Sequence, residues 1–172
     1  FCPPLPDCLD DPNKFNILNC DTSCGDEYDF LDGYCYSKTD LSVLDSLIIN
    51  QDSLNMDLDE NSNSEIEPLE LGFQKWSAGR LEKLNCHWID TASCNLSIAI
   101  PENIIELDSL KYLNLQKNSL SGKLPDGLEN LTALEYLNLQ DNNLTGGIPK
   151  TIGDLPKLST LKLQHNKIGC YE

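Results

Sequence analysis

A motif of leucines and one asparagine returns every 24 positions through the second half of this 172-residue chain. Leu110-x-x-Leu113-x-Leu115-x-x-Asn118-x-Leu120 recurs as Leu134-x-x-Leu137-x-Leu139-x-x-Asn142-x-Leu144, and again as Leu158-x-x-Leu161-x-Leu163-x-x-Asn166-x-Ile168. The connecting stretch repeats as well, Leu124-Pro125, Leu128 and Leu131 returning as Ile148-Pro149, Ile152 and Leu155. A fixed period of this length constrains the fold more than composition does. A unit so short cannot bury its own apolar face, so successive units must stack and share one continuous core. One more step back places Cys86, Ile89, Thr91, Cys94, Leu96, Ile100-Pro101, Ile104 and Leu107 in the same slots.

The spacing resembles that of a leucine-rich repeat. The Leu120-Ser-Gly-Lys-Leu-Pro125 and Leu144-Thr-Gly-Gly-Ile-Pro149 segments are similar to the plant-type class, which is typical of secreted proteins and receptor ectodomains. The resemblance implies an α/β solenoid with short parallel strands on a concave face, and apolar residues of each Leu-x-x-Leu-x-Leu pointing inward. Asn118, Asn142 and Asn166 would turn inward and bond backbone groups of neighbouring turns, where losing such a partner costs ~1–3 kcal/mol. The expected layout is a Cys-rich acidic cap over residues 1–85, then repeats over 86–172, divided as 86–109, 110–133, 134–157 and a partial 158–172.

The first turn has two readings. In the repeat register Cys94 takes an Asn slot, and Cys86 lies ~26 Å from it along an extended path, against a disulfide Cα reach of ~7 Å. Cys86 would then pair back into the cap, and Cys94 would be a buried thiol or a second cap link. Alternatively, Cys86-His-Trp88…Cys94 resembles the Cys-x-Trp…Cys pair of plant-type amino-terminal caps, which does bond. The register is the reading preferred from sequence.

Positions between the inward leucines form columns on the concave sheet. One runs Trp88, Tyr112, Tyr136, Thr160; the next Asp90, Asn114, Asn138, Lys162; the third Ala92, Gln116, Gln140, Gln164. His87, Lys111, Glu135, Ser159 and Ser93, Lys117, Asp141, His165 flank them. Rings beside amides suit a protein or glycan contact surface, because rings give large contact area at low entropy cost. Trp88, Tyr112, Tyr136, Asn114, Asn138, Gln116, Gln140 and Gln164 are therefore the candidate partner-binding residues. The same residue types also suit an exposed strand face, where cross-strand pairs stabilise a sheet.

The net charge of −16 is uneven: residues 1–80 carry 17 acids and 4 bases, residues 81–172 carry 11 and 8. No basic cluster fits a nucleic acid, and no apolar run reaches the ~18 residues a membrane span needs. In the first half, the proline-rich Cys2–Cys8 segment reads as a stapled loop. Leu41, Leu44, Leu47 and Ile48 recur at helical spacing with Thr39 or Asp40 as the cap. Trp76 to Leu84 offers a second short amphipathic segment, giving an α-rich, disulfide-stapled cap.

Residues 59–70 resemble an EF-hand calcium loop, with Asp59, Asn61, Asn63, Glu65, Glu67 and Glu70 as ligands. Ser64 departs from the pattern, standing where Gly permits the sharp turn, so Ca2+ would bind weakly, in an extracellular range. A solvated acidic linker is the plainer reading of the same residues.

Eight Cys favour an oxidising compartment, with Cys2, Cys8, Cys20, Cys24, Cys35, Cys86 and Cys170 as disulfide candidates. Asn95, Asn130 and Asn143 head sequons for N-linked glycans. The start at Phe1 without a charged-then-apolar leader fits a processed extracellular protein or a trimmed piece. No nucleophile elbow, zinc-protease, phosphate-loop or dinucleotide motif is present, and the Glu65/Glu67 pair has no inferable pocket to make a glycosidase of it. Two non-catalytic expectations remain. One is a secreted module that binds a protein or glycan through its concave face. The other is a filament subunit that joins copies of itself head to tail through the open end after Ile168, with Cys170 available for a bond between chains.

Overall fold

The computed structural model of the protein describes residues 25–31, 33–49, 66–87 and 94–169. Cys2, Cys8, Cys20, Cys24, Cys170, Trp88, Asp90, Ala92, Ser93 and loop positions 59–65 lie outside the described residues. The described part opens on an antiparallel hairpin, β1 (Tyr28–Leu31) and β2 (Tyr34–Ser37), which runs directly into helix α1 (Lys38–Ile48). Its N-cap is Ser37, whose Oγ accepts the Asp40 N–H at 3.3 Å, and not Thr39 or Asp40 as the sequence suggests. Asp40 has a different task, described below. The helix buries Leu41, Val43, Leu44 and Leu47, the stripe expected from the leucine spacing.

The segment from Trp76 to Leu84, expected as a second short amphipathic segment of an α-rich cap, is a β-hairpin. β3 (Phe73–Ser77) and β4 (Arg80–Asn85) are antiparallel, with Ser77 opposite Arg80. The two-residue turn puts Ala78 at φ 52° and Gly79 at φ 73°, a turn with both central residues left-handed, matched to the twist of paired strands.

β4 then begins the solenoid sheet. β5 (Tyr112–Asn114), β6 (Tyr136–Asn138) and β7 (Thr160–Lys162) follow it in parallel, giving the order β3-β4-β5-β6-β7. Leu113, Leu137 and Leu161 stand opposite one another at the 24-residue step, but Leu113 meets Leu84, an offset of 29. Beyond Cys94 the step of 24 returns: Leu96 N–H donates to Asn118 Oδ1 as Leu120 N–H does to Asn142 and Leu144 N–H to Asn166. Five extra residues therefore separate Cys86 from Cys94. Cys86 takes the slot of Leu115, its carbonyl accepting from Asn118 Nδ2 as that of Leu115 does from Asn142 Nδ2.

Cys86 and Cys94 form a disulfide with their Cα atoms 5.2 Å apart, and Cys94 N–H donates to the Cys86 carbonyl. The register preferred from sequence is overturned: Cys86 does not pair back into the cap, and Cys94 is not a free thiol. Gly72 backs directly onto the bond. It has φ +64°, and a Cβ there would stand 2.7 Å from the Asn85 carbonyl and 3.0 Å from the Cys86 sulfur. Cys35 is disulfide-bonded too.

The return path of each turn is a 3₁₀ turn, over Glu102–Glu106, Leu128–Asn130 and Lys150–Asp154, which sinks Ile104, Leu128 and Ile152 into the core. One contiguous cluster joins the helix residues Val43, Leu44 and Leu47 to Leu81, Leu84, Ile104, Leu113, Leu137 and Leu155. The cap thus closes one end of the repeat core. Leu158, Leu161, Leu163 and Ile168 of the last described turn are partly buried.

Candidate functional site

The parallel register decides which side chains share the concave face. Alternation along each strand sends Leu113 and Leu137 inward and leaves Tyr112 and Tyr136 on the outer surface. The rings of Tyr112 and Tyr136 are stacked, 4.4 Å between centroids and 4° between planes. Because β4 meets β5 at an offset of 29, the residue beside Tyr112 is Lys83. The sequence columns had put Trp88 there. Lys83 Nζ lies 4.6 Å from the Tyr112 centroid and 5.2 Å from that of Phe73, and Lys162 Nζ lies 5.6 Å from the Tyr136 centroid. Ring, ammonium, ring, ring and ammonium thus follow one another over the five strands, Lys162 reaching back from the row of Asn138 to the Tyr136 ring.

The asparagine column forms the floor beside this ladder. Asn114 and Asn138 are buried, and their Oδ1 atoms accept the N–H groups of Gln116 and Gln140, as Asn85 Oδ1 accepts that of His87. Asn138 Nδ2 donates to Gln116 Oε1 at 2.9 Å and to the Tyr136 hydroxyl at 3.3 Å. Burial raises the Tyr112 hydroxyl above its ordinary pKa, with Tyr136 adding to the shift. These amides hold the rings and glutamines in place, and present little of themselves to a partner.

Two ion-pair groups border the ladder. Glu82 bonds Lys111 Nζ at 2.5 Å and faces Lys75 Nζ at 3.3 Å; the Lys111 hydrogen bond is the main cause of its lowered pKa. Asp141 takes His165 Nδ1 at one oxygen and Gln116 Nε2 and Gln140 Nε2 at the other, each glutamine at 3.1 Å. Its pKa is lowered first by His165 and then by Gln116. His87 is pushed below its ordinary pKa by burial first and by Lys117 second. Gln164 is exposed on β7's outer flank. The sequon residues Asn95, Asn130 and Asn143 are all exposed.

Of the six expected calcium ligands, Glu67 and Glu70 are described. Each closes a 3₁₀ turn over Pro68–Glu70 in a reciprocal capping box, Glu70 Oε2 accepting Glu67 N–H at 3.1 Å. Asp59, Asn61, Asn63 and Glu65 lie outside the described residues. Among the described residues, no three His, Cys, Asp or Glu side chains converge to hold a metal, and no helix is long and apolar enough to cross a membrane.

Comparison with known proteins agrees with the geometry. The leucine rich repeat family matches residues 93–144 and 108–168, and the fold is a leucine-rich repeat solenoid. The chain is similar to the PEPR1–AtPEP1 crystal structure, with 27% identity, TM-score 0.61, and coverage of 76% of this chain and 18% of that one. It is similar to a chain of the BIR3–SERK2 complex from Arabidopsis thaliana, with 28% identity, TM-score 0.58, and 76% and 69% covered. The ectodomain of the receptor kinase SOBIR1 from Arabidopsis thaliana shares the fold at 23% identity and TM-score 0.52, with 77% and 70% covered. The protein therefore spans less than a fifth of the PEPR1 chain that it matches. No curated protein matches the sequence significantly.

Proposed function

We propose that this chain is a non-catalytic extracellular recognition module that binds a peptide or protein partner on the concave face. The observation that carries the reading is the Tyr112–Tyr136 stack, held half-exposed over a floor of hydrogen-bonded amides. Aromatic side chains pre-set by neighbours lose little entropy on binding, and such residues dominate measured contact energies. The similar structures support it, since PEPR1 was solved with AtPEP1 and BIR3 with SERK2. The disulfide and the three exposed sequons fit an extracellular setting in which N-glycans flank the sheet and leave it open.

The test is a selection of displayed random dodecapeptides against the whole protein, followed by affinity measurement on the Tyr112→Ala, Tyr136→Ala double variant. Loss of about tenfold or more in affinity is expected. Unchanged affinity for every selected peptide rejects the concave face as the binding surface.

A further inference from the structure

The ladder carries a sign as well as a shape. On the strands and the positions beside them lie Lys75, Lys83, Lys111, Lys117 and Lys162, against Glu82, Glu135 and Asp141, in a protein whose net charge is −16. Glu82 is occupied by Lys75 and Lys111, and Asp141 by His165 and two glutamines. Among the described residues Lys83 and Lys162 have no carboxylate within ion-pair distance; their ammonium groups rest on ring faces.

The ring geometry adds to this. One face of Tyr112 and one of Tyr136 are spent on each other, and the remaining two receive the lysines. What the stack presents to solvent is its rim, the positive part of the aromatic quadrupole. Cation and rim both favour an anion.

We propose that the concave ladder recognises an acidic peptide segment laid across the strands, with one carboxylate on Lys83 and a second on Lys162. The spacing follows from the sheet. Lys83 shares a row with Tyr112, Tyr136 and Thr160, and Lys162, two residues farther along β7, leans back over the Tyr136 ring; the path from one ammonium through the stacked rings to the other is at most ~15 Å, and an extended peptide covers ~13 Å in four residues. Acidic residues four positions apart would therefore meet both ammonium groups, while the residues between them cross the tyrosine rims. Glu135, exposed beside Tyr136, disfavours carboxylates at the central positions and sharpens the preference for the two ends.

This proposal rests on the concave-face reading, and one experiment separates the two. Dodecapeptides selected on the whole protein are sequenced, and the best binders are measured against wild type, Lys83→Gln, Lys162→Gln and the double tyrosine variant. The expected result is enrichment of Asp or Glu pairs four residues apart. Each lysine variant should then weaken binding about five- to twentyfold, with the loss shrinking at high salt. Binders that need the tyrosines but are neutral or basic, or that ignore both lysines, overturn the acidic-ligand proposal and leave the concave-face reading standing. Binders indifferent to the tyrosines, or an empty pool, overturn both. Both lysines are half-exposed surface groups, so unchanged melting temperatures are expected of the variants and check that they fold.

Discussion

At the scale of single residues, the asparagine of each turn holds one turn to the next. Asn142 accepts Leu120 N–H at Oδ1 and donates from Nδ2 to the carbonyls of Leu115 and Leu139, all buried. Truncating it strands the Leu120 N–H, while the Leu115 and Leu139 carbonyls each lose one of two amide donors and keep Asn118 Nδ2 at 3.0 Å and Asn166 Nδ2 at 2.8 Å. Asn142→Ala should lower unfolding free energy by about 1–3 kcal/mol, the cost of one orphaned buried N–H. Urea denaturation followed by circular dichroism would measure it, and a loss under ~1 kcal/mol would mean that water replaces the amide. Glu82 makes a second prediction. Its pKa is lowered chiefly by Lys111, so its contribution to stability is present above the unfolded-state pKa and is lost as pH falls through the folded one. Glu82→Gln should therefore melt below wild type at neutral pH and converge with it in acid below the ordinary glutamate range. A gap that stays constant down to strong acid would remove the ion pair from the account.

At the scale of elements, the turns after Cys94 were legible because every inward slot is filled by the same residue type at the same step. The first turn was not. Five residues inserted between Cys86 and Cys94 shift the register to 29, and a search at a fixed step of 24 aligns the wrong residues, placing Trp88 where Lys83 stands. The available signal was Leu81-x-x-Leu84-x-Cys86, the repeat pattern with sulfur in its last slot. The β3–β4 hairpin was missed for a related reason: its turn is Ala78-Gly79, and alanine at a left-handed position carries none of the Asn or Asp signature of such turns. The Tyr112–Tyr136 column was legible because both lie within regular turns, whereas its cationic ends depend on the register and on contacts between strands. The disulfide closes the insertion. Proteolysis without reductant should yield a Cys86–Cys94 linked peptide by mass spectrometry, and a Cys86→Ser, Cys94→Ser variant should lose about 2–3 kcal/mol, the loop-closure entropy of so short a ring. Recovering either cysteine alkylated from the native protein would contradict the pairing.

At the scale of the whole molecule, the cap and the repeats share one core and one charge clamp. Asp40, fully buried on α1, receives Arg80 through Nε and Nη2, at 2.9–3.1 Å, and also accepts Leu81 N–H at 2.7 Å. Arg80 reaches on to Asp108 at 2.9 Å, beyond the first 3₁₀ turn. A helix of the cap, the first solenoid strand and the following turn thus meet at one guanidinium. Burying such a pair is costly, and breaking it by removing one partner leaves the other uncompensated. Asp40→Ala should destabilise by about 3–5 kcal/mol, while Asp40→Leu with Arg80→Met should recover much of that loss. Because the clamp and the leucine core both cross from cap to repeats, the loss should appear as one transition. In a Trp88→Phe background, fluorescence of Trp76 on β3 reports the cap, far-ultraviolet circular dichroism reports the whole chain, and the two midpoints should move together. If the Asp40→Ala midpoint by fluorescence falls while the dichroism transition splits in two, the cap is an independent unit, and the sheet beyond β4 stands without it.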